Sequence, residues 1–156
     1  MKYAKILYNN PDFNLDTVFL VDKVQKKLPL EKDAVKHLRG LKVIEGRAPN
    51  VYLAANMAAI MENESEYIRN KGFNDEAYKK WILEYIAKYK KASKAQVKSL
   101  IFDKLPDILN SNQKESKIRN ILGVLKKEGR IVTDTSNRRI ANWVLAKPNL
   151  DRNFSQ

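Results

Sequence analysis

A chain of 156 residues has room for one ordinary domain or two small ones, and an apolar share of 44% excludes wholesale disorder. The absence of cysteine excludes a disulfide framework and a thiolate metal site, and the one histidine, His37, leaves no basis for a histidine cluster. Thirty basic against eighteen acidic side chains give +12, with 12 and 9 in residues 1–72 but 18 and 9 in residues 73–156.

Such a field favours a polyanion, nucleic acid before membrane, over the plainer reading of a lysine-rich surface that keeps the chain soluble. Lys2-Tyr3-Ala4 after Met1 is not the opening of an export signal, and no apolar run approaches a membrane span. A cytoplasmic protein that meets no membrane is the expectation.

In chain order, Tyr3, Ile6 and Leu7 predict one side of a short helix ending near Asn9-Asn10-Pro11. Asp12 or Asn14 can cap a second helix, since their side-chain oxygens accept free amide hydrogens of the first turn. Val18, Phe19, Leu20, Val21 and Val24 form its apolar face. Pro29 breaks that helix and suits the opening of a third, over residues 31–39, with Ala34, Val35 and Leu38 inward and Gly40 ending it. Val43-Ile44, a turn at residues 46–50 and Val51-Tyr52-Leu53 then predict a hairpin. A further helix, residues 54–70, reads as a connector packing on one or both halves, and Gly72 followed by Asn74 marks the best domain boundary.

The second half opens on a periodic helix with Tyr78, Trp81, Ile82, Tyr85, Ile86 and Tyr89. Ser93 caps another, with Val97, Leu100 and Ile101 inward, and Pro106 marks its end. From Gln113, Ile118, Ile121, Leu122 and Leu125 recur at i, i+3, i+4 and i+7, the stripe a helix buries. Gly129 stops that helix. Ile131-Val132 and Trp143-Val144-Leu145 are β-prone, with Asp134, Ser136, Asn137, Arg138 and Arg139 between them. Asn50-Val51-Tyr52-Leu53-Ala54 and Asn142-Trp143-Val144-Leu145-Ala146 occupy the same place in each half, which supports an internal repeat. The tail after Pro148 has little to pack.

No complete active site is legible. The glycines are scattered, with no phosphate-cradling string, and the carboxylates fall mostly on polar helix faces. We expect no enzyme, metal or cofactor. Trp81, Tyr85 and Tyr89, spaced at i, i+4 and i+8, read as core before they read as base-stacking groups. The sharpest candidates for DNA contact are Gln113, Lys114, Ser116, Lys117 and Asn120 on the helix, with Arg138 and Arg139 between the strands. Lysine and arginine release counterions from phosphate; Asn, Gln, Ser and Arg can read base edges. Lys32, Lys36, Arg39 and Arg47 form a sparser set in the first half.

Several strings together carry a family resemblance. They are Leu20-Val21-Asp22-Lys23-Val24-Gln25-Lys26, Leu38-Arg39 with Val43-Ile44-Glu45-Gly46-Arg47 and Pro49-Asn50, and Lys71-Gly72-Phe73. Asp103-Lys104-Leu105-Pro106-Asp107, Lys117-Ile118-Arg119-Asn120, Lys126-Lys127-Glu128-Gly129, and Arg138-Arg139 leading to Trp143-Val144-Leu145 complete them. The chain resembles the C-terminal region of bacterial proteins labelled transcriptional regulators or RecG-like ATP-dependent DNA helicases, which carry an AlbA-like, Schlafen-type domain upstream. The resemblance implies a pair of winged-helix modules at the DNA-binding or regulatory end of a longer polypeptide. It assigns no catalytic residue to this region.

The expected fold is therefore mainly α with small β-hairpins (α+β): tandem winged helix-turn-helix modules at residues 1–55 and 73–147, a connecting helix or linker at 56–72, and a disordered tail at 148–156. The expected partners are double-stranded DNA and the upstream domains of the parent chain. The alternatives are a dimerisation or interdomain module, which would make a homodimer, and an accessory domain of an ATP-dependent helicase-like protein.

Overall fold

The computed structural model describes residues 2–136 and 139–147; Asn137, Arg138 and the expected tail at 148–156 lie outside the described residues. The described chain is mixed α and β, with eight α-helices and two small antiparallel sheets. It divides into two compact units.

The first unit runs to Gly72 and takes in Pro106–Leu109. Its elements are α1 (Lys2–Asn9), α2 (Leu15–Gln25), α3 (Lys32–Gly40), β1 (Ile44–Arg47), β2 (Asn50–Leu53), α4 (Ala55–Ile60) and α5 (Glu64–Lys71). Asn14 caps α2, accepting the Thr17 N–H at 2.8 Å. The Thr17 hydroxyl lies 3.1 Å from His37 Nε2, so the one histidine ties α3 to α2. Ile6, Val18, Val21, Leu38, Met57 and Met61 meet in one buried cluster. β1 and β2 pair antiparallel from Ile44↔Leu53 to Arg47↔Asn50, joined by residues 48–49 alone.

Two expectations for this unit change. The helix foreseen over residues 54–70 is two helices, α4 and α5, broken where Glu62 takes a positive φ of 54°. A helix as short as α4 is marginal alone, and Met57 and Met61, both fully buried, fix it to the first unit's core. Each such side chain contributes about 1.5–3 kcal/mol on burial. Phe19, expected inward, is 64% exposed, because Val18 and Val21 already fill the inner face of α2. As expected, α3 ends at Gly40, and Lys42, at φ 56°, makes the turn that follows.

The second unit comprises Phe73–Leu105 and the chain from Asn110 onward. Its elements are α6 (Asp75–Tyr89), β3 (Ala92–Ser93), α7 (Lys94–Ile101), a 3-10 turn (Phe102–Lys104), α8 (Ser111–Lys127), β4 (Ile131–Asp134) and β5 (Asn142–Leu145). Asn74 caps α6 and Ser93 caps α7, both as expected. Ile82, Ile86, Val97, Ile101, Leu122 and Leu125 belong to its core. Trp81, Tyr85 and Trp143 pack against that core, but Tyr89 is 55% exposed. β3, which the sequence reading lacks, adds to the far side of β5 and makes the sheet three-stranded in the order β3-β5-β4. Pro106–Leu109, foreseen in the second module, groups with the first unit, where the Asp107 N–H donates to the Arg69 carbonyl at 3.0 Å. That bond satisfies a carbonyl in the last turn of α5 that has no partner inside the helix.

Candidate nucleic-acid interface

Reciprocal capping starts α8. The Gln113 N–H donates to Asn110 Oδ1 and the Asn110 N–H donates to Gln113 Oε1, each at 2.9 Å. Ile118, Ile121, Leu122 and Leu125 bury one stripe. The opposite face carries Asn112, Ser116, Arg119, Asn120, Gly123, Lys126 and Lys127, all exposed and without a carboxylate among them.

The five residues expected on this helix separate. Ser116 and Asn120 stand on the outer face. Gln113 spends its amide oxygen on the cap. Lys114 lies over the Phe102 ring, 5.2 Å from its centroid. Lys117 donates to Asp75 Oδ1 at 2.7 Å, a strut between α8 and the first turn of α6. Arg119 takes their place on the outer face.

On the flank of α8, Glu115 accepts a hydrogen bond from Lys98 at 2.5 Å. The Lys98 ammonium holds the Glu115 carboxyl below its ordinary range, and Lys94 and Arg119 pull in the same direction. This acid is thus surrounded by cations of α7 and α8. At the sheet, Ser93 pairs with Asn142, and Asn142 with Asp134, so one row crosses all three strands. Asp134 accepts the Ser136 N–H at 3.0 Å, which lowers its pKa, with Lys91 adding to the effect. Lys91 and Lys94, both exposed, flank Ser93 at the end of that row. Glu115 thus lies in the field of Lys94 and Arg119, and Asp134 in that of Lys91. Arg139 is exposed on that turn, and Arg138 lies outside the described residues.

Sequence reasoning misses Lys91 and Lys94. Their signal is present there: Lys88, Lys90, Lys91 and Lys94 crowd around the cap residue Ser93.

In the first unit Lys32 and Lys36 are exposed on α3, with Asp33 and Glu31 beside Lys32. Arg39 Nη2 donates to the Gly46 carbonyl at 2.9 Å and so braces the hairpin. Gly46 sits at φ 87°, where an added Cβ would lie 2.4 Å from the Asn50 carbonyl oxygen. Arg47 is exposed at the end of β1. This set is sparser and mixed in sign.

The described residues hold no group of three or more His, Cys, Asp or Glu side chains placed to bind a metal ion, and no helix long and apolar enough to cross a membrane. Compared with protein-family models, with curated proteins and with solved structures, the chain finds no match.

Proposed function

We propose that the chain binds duplex DNA through its second unit, with the outer face of α8 in the major groove and the β4–β5 turn on the phosphate backbone. In this reading both units are winged-helix modules, and the chain is the DNA-binding part of a longer RecG-like or regulatory polypeptide acting in transcription. The observation that carries it is the carboxylate-free outer face of α8, with exposed Lys91 and Lys94 around the cap of α7. A helix with its base-reading groups outward, beside cations that reach phosphate, is the arrangement such docking uses.

Fluorescence anisotropy of a labelled mixed-sequence duplex, titrated at several salt concentrations, tests it. Binding whose log affinity falls linearly with log salt is the expected result. No binding at low salt sinks the proposal.

For the first unit a second reading has its own support. Leu15 and Phe19, one turn apart on α2, are each 64% exposed. Apolar groups so placed suit a protein contact, either with another domain of the parent chain or with a second copy. Light scattering at rising concentration distinguishes a dimer from a monomer.

A further inference from the structure

Gly123 sits in the interior of α8, on its outer face. Glycine is among the poorest helix formers, surpassed only by proline, because it gives up the most backbone freedom. Internal packing does not require it here. An added Cβ would meet no atom within 4 Å, and Gly123 is not at a positive φ. The fold would accept alanine at no steric cost and gain stability.

Its neighbours on that face are specific. Arg119 and Asn120 stand one turn before it, Lys126 and Lys127 one turn after, and Ser116 two turns before. Cations and hydrogen-bonding side chains thus surround a spot with bare backbone.

The first unit supplies an internal comparison. The turns after α3 and α8 make matching hydrogen bonds: Val43 N–H to Leu38 O at 3.1 Å, and Arg130 N–H to Leu125 O at 3.0 Å. Counted back from that match, Lys36 stands where Gly123 stands, Asp33 where Asn120 stands, and Lys32 where Arg119 stands. The α3 face is filled by a long side chain and carries an acid; the α8 face is cleared at its centre and carries none.

We propose that Gly123 is the point of closest approach between α8 and the wall of the DNA groove. Its missing side chain lets the helix backbone seat deeply enough for Arg119 and Lys127 to reach phosphates on either side and for Asn120 to reach a base edge. The proposal rests on the DNA-binding reading above and adds where along α8 the duplex comes closest.

Three variants of the full chain test it against a labelled duplex in the same salt series: Gly123→Ala, Gly123→Leu, and Gly40→Ala as the α3 control, where an added Cβ also meets nothing. Thermal unfolding is measured on each. The expected result is a higher melting temperature for Gly123→Ala and Gly40→Ala. Affinity should fall about tenfold or more for Gly123→Leu, fall less for Gly123→Ala, and stay at wild type for Gly40→Ala. A more stable protein that binds less well is a combination that loss of structure cannot produce.

If the wild type binds and Gly123→Leu binds equally well, Gly123 is not the contact point and the broader reading stands. If Gly123→Leu instead loses a dimer while keeping its affinity, the cleared face belongs to a second copy and the proposal is overturned. If the wild type shows no salt-dependent binding, both fall together.

Discussion

Lys42 stands where Gly129 stands. Each follows the C-cap of a helix, Lys42 after α3 at φ 56° and Gly129 after α8 at φ 70°, and each donates its N–H three residues back at 3.0 Å, to Arg39 and to Lys126. The strands that follow also match, since Ile44 pairs with Leu53 and Ile131 with Leu145. Beyond each second strand, the Ala54 N–H donates to the Val43 carbonyl at 2.9 Å and the Ala146 N–H to the Arg130 carbonyl at 3.0 Å. The repeat read from Asn50-Val51-Tyr52-Leu53-Ala54 and Asn142-Trp143-Val144-Leu145-Ala146 is thus a repeat of backbone hydrogen bonding. The Glu-Gly-Arg strings are not part of it, because Gly46 lies in β1 and Gly129 in a helix-ending turn.

The same turn with two different residues gives a stability prediction of opposite signs. A residue with a Cβ in the left-handed region costs about 1 kcal/mol relative to glycine. Lys42→Gly should therefore raise stability by up to about 1 kcal/mol, less what the freer unfolded chain takes back. Gly129→Ala should lower it by about 1 kcal/mol. Urea unfolding with an unchanged m-value checks both, and a Lys42→Gly midpoint below wild type would contradict the assignment of that turn.

These turns also explain what is legible in the sequence. Asn14, Asn74 and Ser93 announce three helix starts, because an N-cap side chain is a local device. The helix ends are harder, because Lys27, Lys42, Glu62 and Lys90 hold positive φ where a reader looks for glycine. That is why the break between α4 and α5 is invisible. β3, only Ala92–Ser93, is too short for any alternation to show. The charged residues of α8 are legible as charges, but their partners are not. Lys117 meets Asp75 and Lys114 meets Phe102 through tertiary packing that no spacing within α8 reveals.

Those partners separate the basic residues by role. Removing one cation that touches a phosphate should flatten the dependence of log affinity on log salt by about 0.9. Lys94→Ala should remove about that much, and Arg138→Ala with Arg139→Ala about twice as much, with weaker binding to every sequence. Lys117→Ala, whose ammonium is held by Asp75, should leave the slope unchanged. Anisotropy titrations across a salt series read all three. An unchanged slope in the double arginine variant would remove the β4–β5 turn from the interface.

Acid should loosen the α7–α8 contact through Glu115. Its carboxyl is held below the ordinary range by the hydrogen-bonded Lys98. A carboxyl with a lowered folded-state pKa stabilises the fold above its unfolded value, and that contribution disappears as pH falls through the folded value. The melting temperature of the wild type should therefore exceed that of Glu115→Gln at neutral pH, and the two curves should converge in acid. A gap that stays constant down the acid limb would mean the carboxylate contributes through shape rather than charge.

Tyr78 sets the strongest stability test in the second unit. Its ring is fully buried between Phe73 and Trp81, with centroids at 6.3 and 5.8 Å. Its hydroxyl donates to the Lys104 carbonyl at 2.8 Å and accepts the Phe73 N–H at 3.1 Å. One oxygen thus joins the chain before α6 to the end of the 3-10 turn. Tyr78→Phe keeps the ring and removes both bonds, leaving a donor and an acceptor to find other partners, at a cost of about 1–3 kcal/mol. Burial also raises the Tyr78 pKa, so the hydroxyl stays protonated and able to donate well into the alkaline range. Denaturation followed by the fluorescence of the neighbouring Trp81 should show the loss. Duplex affinity at low denaturant should not change, since no atom of Tyr78 reaches the outer face of α8; a parallel loss of binding would mean that this bond also sets the position of that helix.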